Sequence, residues 1–105
     1  MAHDIPFEAA TPLGFVVRVT RAHRELIVTV KHSVMRGREA DVQRVLQTPE
    51  EVRRRRGDPT VLLFYRIEQP GRRLCAAAKR RNDEGFLSTT YPTDAIKDGE
   101  RIWSR

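Results

Sequence analysis

Between Gly85 and Asp94 the chain reads Gly-Phe-Leu-Ser-Thr-Thr-Tyr-Pro-Thr-Asp, setting the hydroxyls of Ser88, Thr89, Thr90 and Tyr91 at consecutive positions of a segment with strand propensity. Hydroxyls donate and accept hydrogen bonds, and a phenol can also pass a proton. A side-chain period of two puts Leu87, Thr89 and Tyr91 on one face of that strand and Phe86, Ser88 and Thr90 on the other. Where Phe86 marks the core side, Thr89 and Tyr91 point into a cleft and can bond a phosphate. The alternative is two ordinary β-forming residues on a solvated face. His32 is the second centre of interest, because imidazole titrates near neutral pH and neighbouring cations favour its neutral form, as a general base requires. The competing role for its ring is to cap the last carbonyls of a preceding helix.

Cations supply the third ingredient. In the segment Arg73 to Lys79, alternation places Arg73, Cys75, Ala77 and Lys79 on one face, kept shallow by alanine. Lys79, beside Arg66 at the end of the neighbouring strand, either steadies a phosphate or shields a sheet edge. Arg53, Arg54, Arg55 and Arg56 form a run too charged to bury, which with Arg73 and Arg80 either tracks a nucleic-acid backbone without reading sequence or stays solvated. His23 lies nine positions before His32, on the opposite side of a helix, so the two cannot share a metal. Asp and Glu show no ligand spacing either, and neither a metal ion nor a cofactor is expected.

The elements that position these groups fit into one domain, since 105 residues build a single modest core. Residues 1–12 read as an irregular arm with two prolines. Gly14 to Val19 is a short strand, and Thr20 caps a helix over Arg21 to Lys31, although Ile27, Val28, Thr29 and Val30 keep a strand open there. Arg38 to Gln47 is a second helix through Val42, Val45 and Leu46. Thr48-Pro49-Glu50-Glu51 reads as a capping box that starts a further helical turn and carries Val52 to the core.

Arg53 to Pro59 is a basic loop. Thr60 to Ile67 and Arg73 to Lys79 pair as a hairpin about Gln69-Pro70-Gly71, and Asn82 to Gly85 turns the chain back into the strand Phe86 to Tyr91, which Pro92 ends. Thr93 caps one helical turn through Ile96, and Arg101-Ile102-Trp103 packs an aromatic at the end. The expected class is α+β: N-terminal helices packed on one face of a roughly four-stranded antiparallel sheet, with a meander in the C-terminal half and the other face available.

Twenty Lys and Arg against fourteen Asp and Glu give a formal charge of +6, which suits a polyanionic partner, nucleic acid first among them, or simply serves solubility. No run approaches the roughly 18 apolar residues of a membrane helix. Asp4 and Glu8 interrupt a start that lacks the apolar block of a secretory signal, so a cytoplasmic protein is expected. The one cysteine, Cys75, lies in an apolar run and reads as a buried, inert thiol.

Taken in order, Lys31-His32, Gly37-Arg38-Glu39 with Val42 and Leu46, Pro49-Glu50-Glu51-Val52-Arg53, Asp58-Pro59, Leu63-Phe64-Tyr65-Arg66, Lys79-Arg80, Gly85-Phe86-Leu87 with Thr89 and Tyr91, Thr93-Asp94-Ala95-Ile96-Lys97 and Ile102-Trp103 form a pattern. It resembles the small phage and bacterial nuclease-like domains grouped with barnase, EndoU, the colicin ribonucleases and RelE, the BECR group. The resemblance covers Val19 to Trp103, and one departure is Ser33 after His32, where the family often has proline. It implies a four-stranded antiparallel sheet behind N-terminal helices and metal-independent cleavage of RNA by attack of the ribose 2′-OH. It also implies His32 as base or acid, Lys79 and Arg66 as charge stabilisers, Thr89 as phosphate ligand and Tyr91 as positioning group. RNA is then the partner, with an antitoxin or immunity protein where the domain serves as the toxin of a toxin–antitoxin pair or as a mobile-element effector. The rival expectation is a non-catalytic basic module that binds RNA or a protein through the same sheet face.

Overall fold

Two short turns organise the centre of the molecule. The computed structural model describes residues 7–19, 38–96 and 99–105. Pro70-Gly71, with Gly71 at φ +77°, joins β4 (Val61–Gln69) to β5 (Arg72–Arg81), and Asn82-Asp83, with Asn82 at φ 58°, joins β5 to β6 (Glu84–Thr93). Gly and Asn are the residues that enter this left-handed region at least cost, so both hairpins are written in the sequence. β5 pairs with β4 and β6 along its whole length, which makes it the middle of an antiparallel meander.

Around the meander the chain adds four more strands. β3 (Glu51–Arg54) lies antiparallel beside β4, and β7 (Glu100–Ser104) closes that side antiparallel to β3. On the other side β2 (Val16–Val19) runs parallel to β6, and β1 (Phe7–Ala10) is antiparallel to β2 at the far edge. The result is a seven-stranded mixed sheet in the order β1-β2-β6-β5-β4-β3-β7.

Among the described residues there is one helix, α1 (Glu39–Gln47). Glu39 and Asp41 in its first turn and Arg44 in its last complement the helix dipole, and Val42, Val45 and Leu46 form the stripe it buries against the sheet. Thr48 closes it by giving both its N–H (2.8 Å) and its hydroxyl (3.0 Å) to Arg44 O. Pro49 then disfavours a helical Thr48, whose φ of −136° is extended.

The expected fold class is therefore corrected. An α+β domain with N-terminal helices on a four-stranded antiparallel sheet gives way to a seven-stranded mixed sheet carrying one short helix among the described residues. Three segments account for the difference. Glu50 and Glu51 start no helical turn: Glu50 N–H bonds Tyr65 O (2.8 Å), the Glu50 carboxylate accepts from Ile67 N–H (2.7 Å), and Val52 continues into β3. Phe7 to Ala10, inside the supposed irregular arm, form the edge strand β1, and the tail 100–104 forms the edge strand β7. Ladder hydrogen bonds from neighbouring strands decide all three, and no local propensity reports them. Thr93 does not cap a helical turn either; its hydroxyl exchanges hydrogen bonds with Ala95 N and O. The helix expected over 21–31 lies outside the described residues.

The sheet has two buried faces of unlike make-up. On the helix face, Val42, Val45 and Leu46 pack with Val17, Val19, Val52, Phe64, Leu74, Ala76, Ala78 and Leu87. Phe15 meets Phe64 edge to face at 6.3 Å there. On the far face Val61, Leu63, Tyr65, Cys75 and Ala77 form a smaller cluster, with Tyr91 and Ile96 against it. Cys75, the one cysteine, is fully buried and forms no disulfide within the chain. No helix among the described residues is long and apolar enough to cross a membrane.

Candidate nucleic-acid interface

The faces on which the hydroxyls stand are set by a bulge. β5 and β6 pair Ala77 with Thr89 but Ala78 with Leu87, so Ser88 is an extra residue on β6 and the simple alternation through it fails. Leu87 and Thr90 turn to the helix face, where Thr90 is buried and its hydroxyl donates to Cys75 O at 2.8 Å. Thr89 and Tyr91, opposite Ala77 and Cys75, stand on the far face, and so does Phe86, opposite Lys79. Without the bulge Phe86 would lie on the other side from Thr89 and Tyr91.

Reading across the strands at the Phe86 level gives a single row on the far face. Arg18 of β2 stands beside Phe86 of β6, then Lys79 of β5, then Val61 of β4. Arg55 continues the row past the end of β3 through its N–H to Val61 O at 2.9 Å. Neighbouring strands lie about 4.8 Å apart, so Phe86, Lys79 and Arg55 are spread over roughly 15 Å. Arg18 is committed to Glu8 (3.1 Å) and Glu84 (3.2 Å). Arg55, Arg56, Lys79 and Arg81 are exposed and form no ion pair with any described residue. Arg55 and Arg56 follow β3 and Lys79 and Arg81 end β5, and the two pairs share one end of the sheet because β3 and β5 run the same way.

The loop that carries Arg55 and Arg56 is held by Asp58. Its carboxylate accepts from the Thr60 hydroxyl (2.7 Å) and the Thr60 N–H (3.1 Å), and these bonds, the hydroxyl first, hold its pKa below the ordinary aspartate value. The same loop walls an open pocket of about 280 Å³ lined by Arg54, Arg55, Arg56, Pro59, Gly99 and Glu100. Arg54 is paired there with Glu100, and the two remaining guanidinium groups, of Arg55 and Arg56, suit an oxyanion on a flexible chain better than a small apolar ligand.

Tyr91 and Thr89 lie further along the same face. With a rise of ~3.3 Å per residue, Thr89 is on the order of 7 Å and Tyr91 13 Å from the Lys79 level. Burial pushes the Tyr91 phenol up, and the neighbouring Cys75 and Tyr65 add to this, while Arg55 opposes it. Tyr91 thus keeps its proton across the neutral range. Thr89 Oγ1 is closed off from solvent and has no hydrogen-bond partner among the described residues.

The remaining candidates are divided between locations. Arg66, opposite Leu74, is on the helix face, where its guanidinium donates to Thr48 O at 2.6 Å and lies 3.9 Å from Glu50. It is separated by the sheet from Lys79, Thr89 and Tyr91. Arg80 also faces the helix side, stacked 4.5 Å over the Phe15 ring with Nε donating to Asn82 O at 2.8 Å. Arg73 is on the far face but at the opposite end, beside Ile67 and Thr93. Arg53 is held by the Glu51 carboxylate and by Gly99 O (3.1 Å), and Arg54 by Glu100 (3.4 Å). His32 lies outside the described residues, as do His3 and His23. Among the described residues no cluster of three or more His, Cys, Asp or Glu could hold a metal ion.

Sequence reasoning missed two residues of this end. Arg81 belongs to β5, which runs two residues beyond the expected strand, and Phe86 is an exposed ring rather than a core marker. The run Lys79-Arg80-Arg81 was a signal for the first; only the bulge reveals the second. Comparison with family models, with curated proteins and with solved structures gave no match.

Proposed function

We propose that the chain binds RNA along its phosphate backbone through the end of the sheet that carries Arg55, Arg56, Lys79 and Arg81. The observation that carries this reading is that these four exposed cations, two from the loop after β3 and two from the end of β5, lie at one end of the sheet and form no ion pair among the described residues. Cations paired within a fold contribute little to an outside anion, whereas unpaired ones release counterions when a phosphate replaces them. The RNA is taken to be cytoplasmic, in keeping with a chain whose single cysteine, Cys75, forms no disulfide within it.

A second reading adds bond cleavage, as metal-independent ribonuclease chemistry with 2′-OH attack. It is favoured by one specific observation: Lys79 and Tyr91, from two neighbouring strands, stand on one face of the sheet. In that reading His32 supplies the base, Lys79 steadies the added charge and the protonated Tyr91 donates. Thr89 and Arg66 stand apart from it in this conformation, Thr89 closed off and Arg66 across the sheet. A toxin acting this way would need an antitoxin or immunity protein to cover the same face.

Incubating RNA in EDTA with the wild type, His32→Ala and Lys79→Ala separates the two. Binding that falls steeply with salt and weakens in Lys79→Ala, without scission, supports the first reading; scission lost in both variants supports the second. A wild type that neither binds nor cuts RNA refutes both.

A further inference from the structure

Phe86 is an anomaly at the cationic end. It is 47% exposed, one of two large apolar side chains left open among the described residues, and it neither fills the core nor covers another ring among them. Its strand neighbours fix its surroundings: Lys79 on one side, Arg18 on the other, with Arg81, Asn82, Asp83 and Glu84 lining the hollow at its edge. Arg18 is neutralised by Glu8 and Glu84, and Asp83 adds a further negative charge, so the unpaired cations lie on the Lys79 side. Gly85 fixes the adjacent backbone position. An added Cβ there would stand 2.7 Å from the Phe15 ring, which is itself held by Phe64 and covered by Arg80. The Phe86 ring therefore stands next to a closely packed backbone position, at the head of a line that runs through Lys79 to Arg55.

We infer that Phe86 is a stacking platform for an unpaired base, so that the ligand of this end is single-stranded RNA rather than a duplex. This rests on the RNA-binding reading above and deepens it. A base stacked on the ring leaves its backbone to run toward Lys79, Arg55 and Arg56, the side on which positive charge outnumbers the nearby carboxylates, Asp58 and the Arg54-paired Glu100. Every base has a π face, so this contact is indifferent to sequence, and only a strand whose bases are splayed out can make it. A duplex offers phosphates to the cations but keeps its bases inside, so it gains nothing from the ring.

The test compares a 2′-O-methyl oligoadenylate, which cannot undergo 2′-OH attack, with a blunt 2′-O-methyl duplex of the same length, in binding titrations. Phe86→Ala should bind the single strand roughly tenfold or more weaker and the duplex unchanged. Phe86→Trp should bind the single strand at least as well as the wild type. Phe86→Leu keeps apolar bulk for folding and should still show the loss. Ile67→Ala, which trims the other exposed apolar residue (49%) at the opposite end of the far face, should leave both affinities as they are. Single-strand binding by Phe86→Ala and Phe86→Leu equal to the wild type, while Lys79→Ala weakens it, overturns the stacking role and leaves RNA binding standing. An equal loss on both probes overturns the single-strand preference. No binding of either probe by the wild type overturns both readings.

Discussion

The helix face of the sheet and the β3–β5 end of its far face use basic side chains in opposite ways. On the helix face arginines are spent inside the fold: Arg66 satisfies the carbonyl that α1 leaves at Thr48, Arg80 lies on Phe15, and Arg38 ties the start of α1 to Asp41 (2.9 Å) and to Glu68 on β4. Those last two partners raise the Arg38 pKa, Glu68 most. At the β3–β5 end of the far face, Arg55, Arg56, Lys79 and Arg81 have no such partner among the described residues. Net charge is thus a poor guide to a binding surface. What matters is which cations the fold has already used, and a strand period assigns neighbouring arginines of one run to different fates.

The largest effect should come from breaking the helix face itself. Phe64→Ala empties a fully buried site in contact with Phe15 and should lower the unfolding free energy by about 3–5 kcal/mol in denaturant titrations. Gly85→Ala drives a methyl group to 2.7 Å from Phe15 and 3.1 Å from Val17, at an expected cost of about 1–3 kcal/mol. Gly57→Ala, with open space around it, should stay within about 0.5 kcal/mol and serves as the control.

Smaller effects sharpen the contrast between the faces. Arg66→Ala removes the charged donor from Thr48 O and should cost about 1 kcal/mol, reduced by its partial exposure, with RNA affinity unchanged. Lys79→Ala should do the reverse: melting temperature unchanged, RNA affinity down and the slope of log affinity against log salt reduced by about one. The smallest effect concerns Asp58. Its pKa is lower folded than unfolded, so its contribution is fully present above the ordinary aspartate value and fades as pH falls through the depressed one. Asp58→Asn should remove that acid-side step from a plot of melting temperature against pH.

How much of this was legible in the sequence depends on the range of the interaction. The helix over 39–47 and the β4–β5–β6 meander were readable, because Val42, Val45 and Leu46 carry a helical period and Pro70-Gly71 and Asn82-Asp83 carry turn chemistry. The strands β1, β3 and β7 were not, since short charged segments such as Glu51–Arg54 become strands only when a neighbour supplies the ladder. The same limit governs the candidate site. That Lys79 shares a face with Cys75 and Ala77 was visible from alternation, but the partners of Phe86, Thr89 and Tyr91 depend on the bulge at Ser88. The division of Arg66 from Lys79 depends on where α1 docks.

The most direct test removes equal charge from the two faces. RNA affinity should be measured at low salt for Arg55→Ala/Lys79→Ala and for Arg44→Ala/Arg66→Ala, at a temperature where both remain folded. Each double variant loses two positive charges, but Arg44 is paired with Asp41 at 3.3 Å and Arg66 with the end of α1. The account predicts that the first binds at least roughly tenfold more weakly with a salt slope lower by about two, while the second binds as the wild type does. Equal losses in the two variants would contradict it, by showing that total charge, and not the arrangement of cations at the end of β3 and β5, sets the affinity.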